Sequence, residues 1–498
     1  VKTSEYDLQG NLTRETGPRS GTDMNYRYDK VGNLLRYTGA EPLGPVVNDY
    51  AEDSYMLTYD AANQLTTVYQ GGGTVCPQPN PDNSGCIFFE YDDNGAETKR
   101  ILPGNATIET ARDIGGRPGR ITAKTWAGTT VVDIGYGYAA PGTSDDRGNV
   151  QTRTSYKEQG ITAGAVTTYT YDSRNRLKKA EEKTGSTVSA SWAYAFDANG
   201  NRTKLTRTGA TGITGNKNFT YNAANQLTSA TGDSATWTYD AAGNQTRDGS
   251  GFASSYGVRS QVRSLGSTQN TNFATGNTER YGVSTGLSFD NGALGLMRRT
   301  NGSTTEHTYT RTAEGVAIGY KTVDDARFYY VTDHLGSVAG IFNSEGVYLG
   351  GYSYSPDGEQ RFNGSNAQVA GNQLRYIGGL SVGGGLYKFG ARYYDASQAR
   401  FTQTDPSGQE ANPYAYANCN PVNAKDPSGL SAECTESVVG LVASIAGLGA
   451  SVVGVVLSAA ATVPSFGASV ALGVAGVVGL SASTVGLILS ISSTIRSC

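Results

Sequence analysis

The chain has 498 residues and a formal net charge of −4; only 17% of its residues are charged, while Gly (66) and Tyr (32) are abundant. Its Lys and Arg are scattered in ones and twos and form no basic face for a phosphate backbone, which sets nucleic-acid binding aside. Two histidines, His307 and His334, with no Cys-x-x-Cys pattern, argue against a metal centre.

Short aromatic and Thr-rich runs separated by turn residues predict an all-β protein. The chain opens at Val1 inside a repeat unit, with no signal peptide in view, and reads as a piece of a longer protein. The unit is an aromatic, any residue, Tyr-Asp, a polar turn carrying Gly or Asn, then a strand. It occurs as YRYDKVGNLLRYTG from Tyr26, LTYDAANQLTTVYQ from Leu57 and FEYDDNGAETKR from Phe89. It returns as YTYDSRNRLKKAEEKTG from Tyr169, YAFDANGNRTKLTRTG from Tyr194, FTYNAANQLTSATG from Phe219 and WTYDAAGNQTRDGSG from Trp237. Each unit reads as a β-hairpin. The Tyr-x-Tyr alternation puts two aromatics on one face, Asp bonds its own backbone two residues on, and Gly or Asn supplies positive φ. Recurrence throughout the chain assigns these Tyr and Asp to packing and turns rather than to catalysis. One hairpin alone is marginal in water, so neighbours must stack to bury the aromatic face.

The pattern resembles the YD repeats of bacterial Rhs proteins, of the C component of Tc toxins and of teneurins. The resemblance covers residues 1–320 and implies a long spiral β-sheet wound into a hollow shell.

Five cysteines are unevenly placed. Cys76 and Cys86 close a Pro/Asn-rich loop, and Cys434 and Cys498 bracket the C-terminal stretch. Two local pairs favour an oxidising compartment, secreted or at the cell surface, with Cys419 left over. Five free thiols are the alternative.

From Phe328 the pattern changes. FYYVTDHLGSVAGIFNSEGVYLGGYSYSPDGEQ reads as three strands and their turns, followed by LYKFGARYYDASQARFTQTDP and NPYAYANCNPVNAKDPSGL. Residues 321–430 thereby resemble the Rhs repeat-associated core. The matching blocks are Asp333–Ser337, Arg392–Asp395, Arg400-Phe401, Asp405-Pro406 and the closing run Asp426–Leu430. The chain departs at Ala399, where a Gly usually precedes the R-F pair, and Cys419 interrupts an Asn-rich turn. The resemblance implies an aspartyl-type site that cuts its own chain once. It implies Asp405 and Asp426 as the carboxylates, Arg392 as the positioning residue, and a cut between Leu430 and Ser431. Two carboxylates close together share a proton, so one activates water and the other protonates the leaving amide; a guanidinium orients a carboxylate or polarises the carbonyl. Without the resemblance, Asp-Pro is an ordinary turn opener and Arg392 could pair with Asp395. No cofactor is implied.

Residues 431–498 break sharply in composition. Val438–Ile495 contains no charged residue, and Pro464 divides it into halves each long enough to span a bilayer as a helix. Small residues recur every four positions: Ala446, Ala450, Gly454 and Ser458, then Gly467, Ala471, Ala475, Gly479 and Ser483. That spacing predicts a hydrophobic α-helical hairpin with close helix–helix contact in lipid, its open end closed by Cys434 and Cys498. Beyond Ser431 the ionisable side chains other than cysteine are Glu433, Glu436 and Arg496, which leaves no acid–base constellation for an enzymatic cargo. Taken with the Rhs resemblance, which implies the shell and the cut, this composition gives the expectation of a toxin shell that encloses and releases a membrane-inserting or pore-forming segment. Its partners would be its own C-terminal segment, a target-cell membrane, an immunity protein and a secretion apparatus. The alternatives are a cell-surface interaction protein that uses the hydrophobic hairpin as a membrane anchor, and an inert plug packed inside the shell.

Overall fold

The computed structural model describes residues 3–16, 23–39, 54–70, 76, 84–209, 215–273, 280–283, 285–302, 304–430 and 432–434. Ser431, Cys498 and the hydrophobic module from 435 onward lie outside the described residues. The side chain of Cys434 is likewise not described. Among the described residues, no helix is long and apolar enough to cross a membrane.

Two antiparallel sheets dominate, and neither closes into a barrel. The first has eighteen strands, from Thr3–Tyr6 to Leu227–Ala230, each paired with the next in the chain. A small hairpin, Thr238–Tyr239 with Gln245–Arg247, leads into a twelve-stranded meander from Ser254–Tyr256 to Gln360–Asn363. That sheet runs unbroken across residues 320–321, since Ala317–Thr322 pairs with Arg327–Thr332. A four-stranded sheet follows: Leu380–Gly383, Leu386–Phe389, Arg392–Asp395 and Arg400–Phe401.

The repeat's local chemistry is uniform. Asp29 Oδ1 accepts from the backbone N–H groups of Val31 (2.9 Å) and Asn33 (2.8 Å), and Gly32 takes φ +95°. Asp60, Asp92, Asp113, Asp172, Asp197 and Asp240 repeat the two-residue and four-residue bonds. Asn or Gly fills the left-handed position three residues on each time.

A second regularity joins neighbouring repeats. The Tyr before the turn-opening Asp, Asn222 or Ser355 donates its hydroxyl to a carbonyl of the preceding hairpin: Tyr59 to Leu34 (2.9 Å), Tyr91 to Leu65 (2.8 Å), Tyr221 to Arg202 (2.9 Å), Tyr239 to Leu227 (3.1 Å) and Tyr354 to Val338 (2.9 Å). The acceptor lies five residues after the preceding Asp, or the Asn at 222, so each hydroxyl fixes the register of one hairpin on the last. The first aromatic of the unit, as in Tyr26, Phe89, Tyr169 and Phe219, is buried in the core.

The later strands of the second sheet pack on the buried face of the first. Tyr37 Oη donates to the Arg311 carbonyl (2.9 Å) and accepts from the Arg311 N–H (2.8 Å). Arg202 meets Asp357 (3.1 Å) and Arg361 meets Glu182 (2.7 Å), both pairs largely buried. Where the loops cross, Gly104 at φ +69° would place a Cβ 2.3 Å from the Glu345 carbonyl carbon, so only glycine fits.

Candidate functional site

The last forty described residues lie against the turns of the earlier hairpins. Asn412 Nδ2 donates to Asn201 Oδ1 (2.8 Å), Arg400 to the Asn225 carbonyl (2.6 Å), Gln403 to the Ser260 carbonyl (2.7 Å), and Asn423 to Tyr171 Oη (2.9 Å). An aromatic cluster of Tyr376, Phe389, Tyr394, Phe401 and Tyr416 fills the space beneath.

Arg392 begins the third strand of the four-stranded sheet and is 1% exposed. Its guanidinium lies 3.6 Å from the Phe401 ring centroid. Nε donates to the Gly429 carbonyl (2.6 Å), Nη1 to the Pro413 carbonyl (3.0 Å), and Nη2 to Asp426 Oδ2 (3.1 Å). Burial lowers its proton affinity, opposed by the charges of Asp426 and Asp405. Asp395 instead accepts from Ser397 and Gln398, so the local Arg392–Asp395 pair is not formed.

Both predicted carboxylates open the same tetrapeptide, Asp-Pro-Ser-Gly, at 405–408 and 426–429. Asp426 Oδ1 accepts from Ser428 Oγ (2.9 Å) and the Leu430 N–H (3.1 Å). Gly429 at φ +63° would place a Cβ 2.4 Å from the Phe389 carbonyl oxygen, which wedges this turn beside Arg392. Asp405 accepts from Ser407 N (2.9 Å), Gln409 N (3.0 Å) and Glu410 N (3.2 Å). Ser407 Oγ lies 2.8 and 2.7 Å from the two Asp405 oxygens and 3.0 Å from the Leu430 carbonyl oxygen. Glu410, half-buried, accepts the Ala432 N–H; burial raises its affinity for a proton, while Ala432 and Arg392 oppose the shift. Asp405, Asp426, Arg392 and Leu430 therefore converge. Ser407 and Glu410 join them, although no spacing in the sequence singles them out.

Ala399, where the sequence departs from the core pattern, lies at φ +53°, so the turn keeps a glycine-type conformation with a side chain in place. Cys419 also has positive φ, +62°, and its thiol contacts the Gly200 carbonyl at 3.2 Å. Burial pushes that thiol up to about 12. At the other end of the chain, Cys76 and Cys86 form a disulfide.

The chain aligns with a solved TcdB2–TccC3 structure that lacks the hypervariable C-terminal region, at TM-score 0.62 and 19% identity, over 85% of this chain and 23% of that one. A Photorhabdus luminescens Tc holotoxin pore carrying a TccC3 mutation aligns at TM-score 0.62 and 20% identity, over 86% and 23%. The fold is that of a Tc toxin chain. No protein-family profile matches. In sequence, the chain is 29% identical to the tRNA3(Ser)-specific nuclease WapA of Bacillus spizizenii over 277 residues, which is 52% of this chain and 12% of that protein. It is 40% identical over 106 residues, 21% of this chain, to salivary gland surface protein 1 of Aedes aegypti, covering 3% of that protein. The chain thus spans a small fraction of each curated relative.

Proposed function

We propose that this chain is part of a secreted Rhs-type toxin shell that cuts itself between Leu430 and Ser431 and releases the segment that begins at Ser431. The meandering sheets form part of a longer spiral that encloses this cargo. The observation that carries the reading is the gathering of Arg392, Asp426 and Asp405 around Leu430: the Leu430 N–H is held by Asp426, the preceding carbonyl, of Gly429, by Arg392, and Asp405 lies one side chain away, across Ser407. The Arg392 contact (3.1 Å) gives Asp426 the role of taking the proton of the attacking water, with Asp405 as its acid partner. Each chain reacts once and no external substrate is needed. Similarity to WapA and the fold shared with a Tc toxin support a toxin rather than a general protease.

Released residues 431–498 act on a target membrane, since Val438–Ile495 holds no charge. Enclosure prevents early insertion or aggregation of this apolar stretch, and an immunity protein and a secretion apparatus complete the partners. The match to a mosquito surface protein favours a second reading, a cell-surface interaction protein anchored by the same segment. Intact mass under denaturing, reducing conditions separates the two. Fragments 1–430 and 431–498 from the wild type, with Asp405→Asn uncut, support the toxin reading. An uncut wild type defeats it and leaves the anchored protein.

A further inference from the structure

We propose that Ser407 relays a proton between Asp405 and the carbonyl oxygen of Leu430, making this hydroxyl the group that polarises the bond to be cut. The inference rests on the self-cleavage reading and deepens it.

Proton counting carries the argument. A serine hydroxyl has one hydrogen and two lone pairs. Ser407 Oγ lies within hydrogen-bond distance of three acceptor oxygens, two on Asp405 and one on Leu430. If its hydrogen points at Asp405, the Leu430 carbonyl gains nothing. If the hydrogen points at Leu430, a proton on one Asp405 oxygen can donate to Oγ, and the hydroxyl then links both residues. The resulting chain runs Asp405 O–H to Ser407 O–H to O=C of Leu430. The backbone N–H groups of Ser407, Gln409 and Glu410 hold the carboxyl in place.

The twin turn supplies the contrast. Ser428 occupies the same place in the second Asp-Pro-Ser-Gly and closes locally, onto Asp426 Oδ1 (2.9 Å) and the Leu430 N–H (3.2 Å). Ser407 reaches a carbonyl 23 residues away. Turn chemistry alone accounts for Ser428, whereas the bond from Ser407 to Leu430 is additional.

In the step, water adds to the Leu430 carbonyl carbon and the π electrons move to oxygen. That oxygen takes the Ser407 proton, Ser407 takes the Asp405 proton, and Asp426 takes the proton lost by water. On collapse, the carbonyl re-forms and returns its proton through Ser407 to Asp405. The C–N electron pair goes to the Ser431 nitrogen, which takes the proton from Asp426. The products are a Leu430 carboxyl terminus and a Ser431 amine, and all three side chains regain their starting states.

The test follows cleavage of the full chain after cell-free synthesis, for the wild type, Ser407→Ala and Ser407→Thr, in H2O and D2O. Losing a general-acid donor costs about 100-fold, so Ser407→Ala cuts about 100-fold more slowly. Ser407→Thr, which keeps the hydroxyl, stays near the wild-type rate. The solvent isotope effect, raised by two protons in flight, shrinks in Ser407→Ala. Ser407→Ala cutting at the wild-type rate would overturn the relay, and so would Thr failing to rescue with matched melting curves. An uncut wild type would instead sink the underlying self-cleavage reading.

Discussion

Replacing Tyr59 with Phe deletes one hydroxyl and leaves the ring that packs on the core. Tyr59 Oη donates to the Leu34 carbonyl at 2.9 Å, across the junction of two repeats. A typical intramolecular hydrogen bond contributes about 1 kcal/mol net, and the half-buried carbonyl left behind adds part of its desolvation penalty. The cost is therefore about 1–2 kcal/mol, a factor of about 5–30 in the local opening equilibrium. Hydrogen exchange reads it at the amides joining strands Leu34–Gly39 and Ser54–Tyr59, where Tyr37 faces Tyr55. Two further variants bracket the effect. Tyr6, 59% exposed, has the same place in its repeat on the first strand of the sheet, and Tyr6→Phe leaves exchange unchanged. Phe196 occupies the clamp position without a hydroxyl, so Phe196→Tyr supplies a donor for the preceding hairpin and slows exchange there. Equal loss of protection in Tyr6→Phe and Tyr59→Phe, or none in Tyr59→Phe, would refute the idea that these hydroxyls lock neighbouring repeats.

Three other outcomes follow from the same physics. Ala399→Gly relieves a left-handed alanine at φ +53° and stabilises the fold by about 1 kcal/mol, seen as a higher midpoint in denaturant. Burial and Arg299 push the His307 imidazole down to about 3. Its folded value lies below the unfolded value of about 6.5, so the stability it contributes is complete above about pH 6.5. That contribution falls by up to about 1.4 kcal/mol per unit down to about pH 3. Replacing His307 with Asn flattens this acid limb in pH-dependent unfolding. The Cys76–Cys86 disulfide spans a separation of 10 residues, and its removal as Cys76→Ser with Cys86→Ser costs about 3 kcal/mol of loop-closure entropy, read as a lower midpoint in denaturant.

The local rules were legible in the sequence and the distant pairings were not. Asp followed by Gly or Asn three residues on specifies its own turn, because every bond it needs lies within four residues. The Tyr clamp stayed hidden because its acceptor belongs to the previous hairpin, at a spacing that varies with loop length: Tyr59 reaches back 25 residues and Tyr239 only 12. Arg202 and Asp357 are 155 residues apart, beyond any periodicity. Arg392, Asp405, Asp426 and Leu430 could be named from the core resemblance. Ser407 could not, because its contact with Leu430 exists only once two Asp-Pro-Ser-Gly turns face each other.

The docking of the core on hairpin turns also dictates an order of events. In each large sheet, strands pair with their immediate successors, so hairpins can be added one at a time as the chain emerges. The last segment behaves differently. Asn423 needs Tyr171, Asn412 needs Asn201, Arg400 needs Asn225, and Gln403 needs Ser260. It can seat only when hairpins spread over some ninety residues already stand in register. Arg392 and the two Asp-Pro-Ser-Gly turns are thus brought together last, so their meeting reports that the preceding wall has been built.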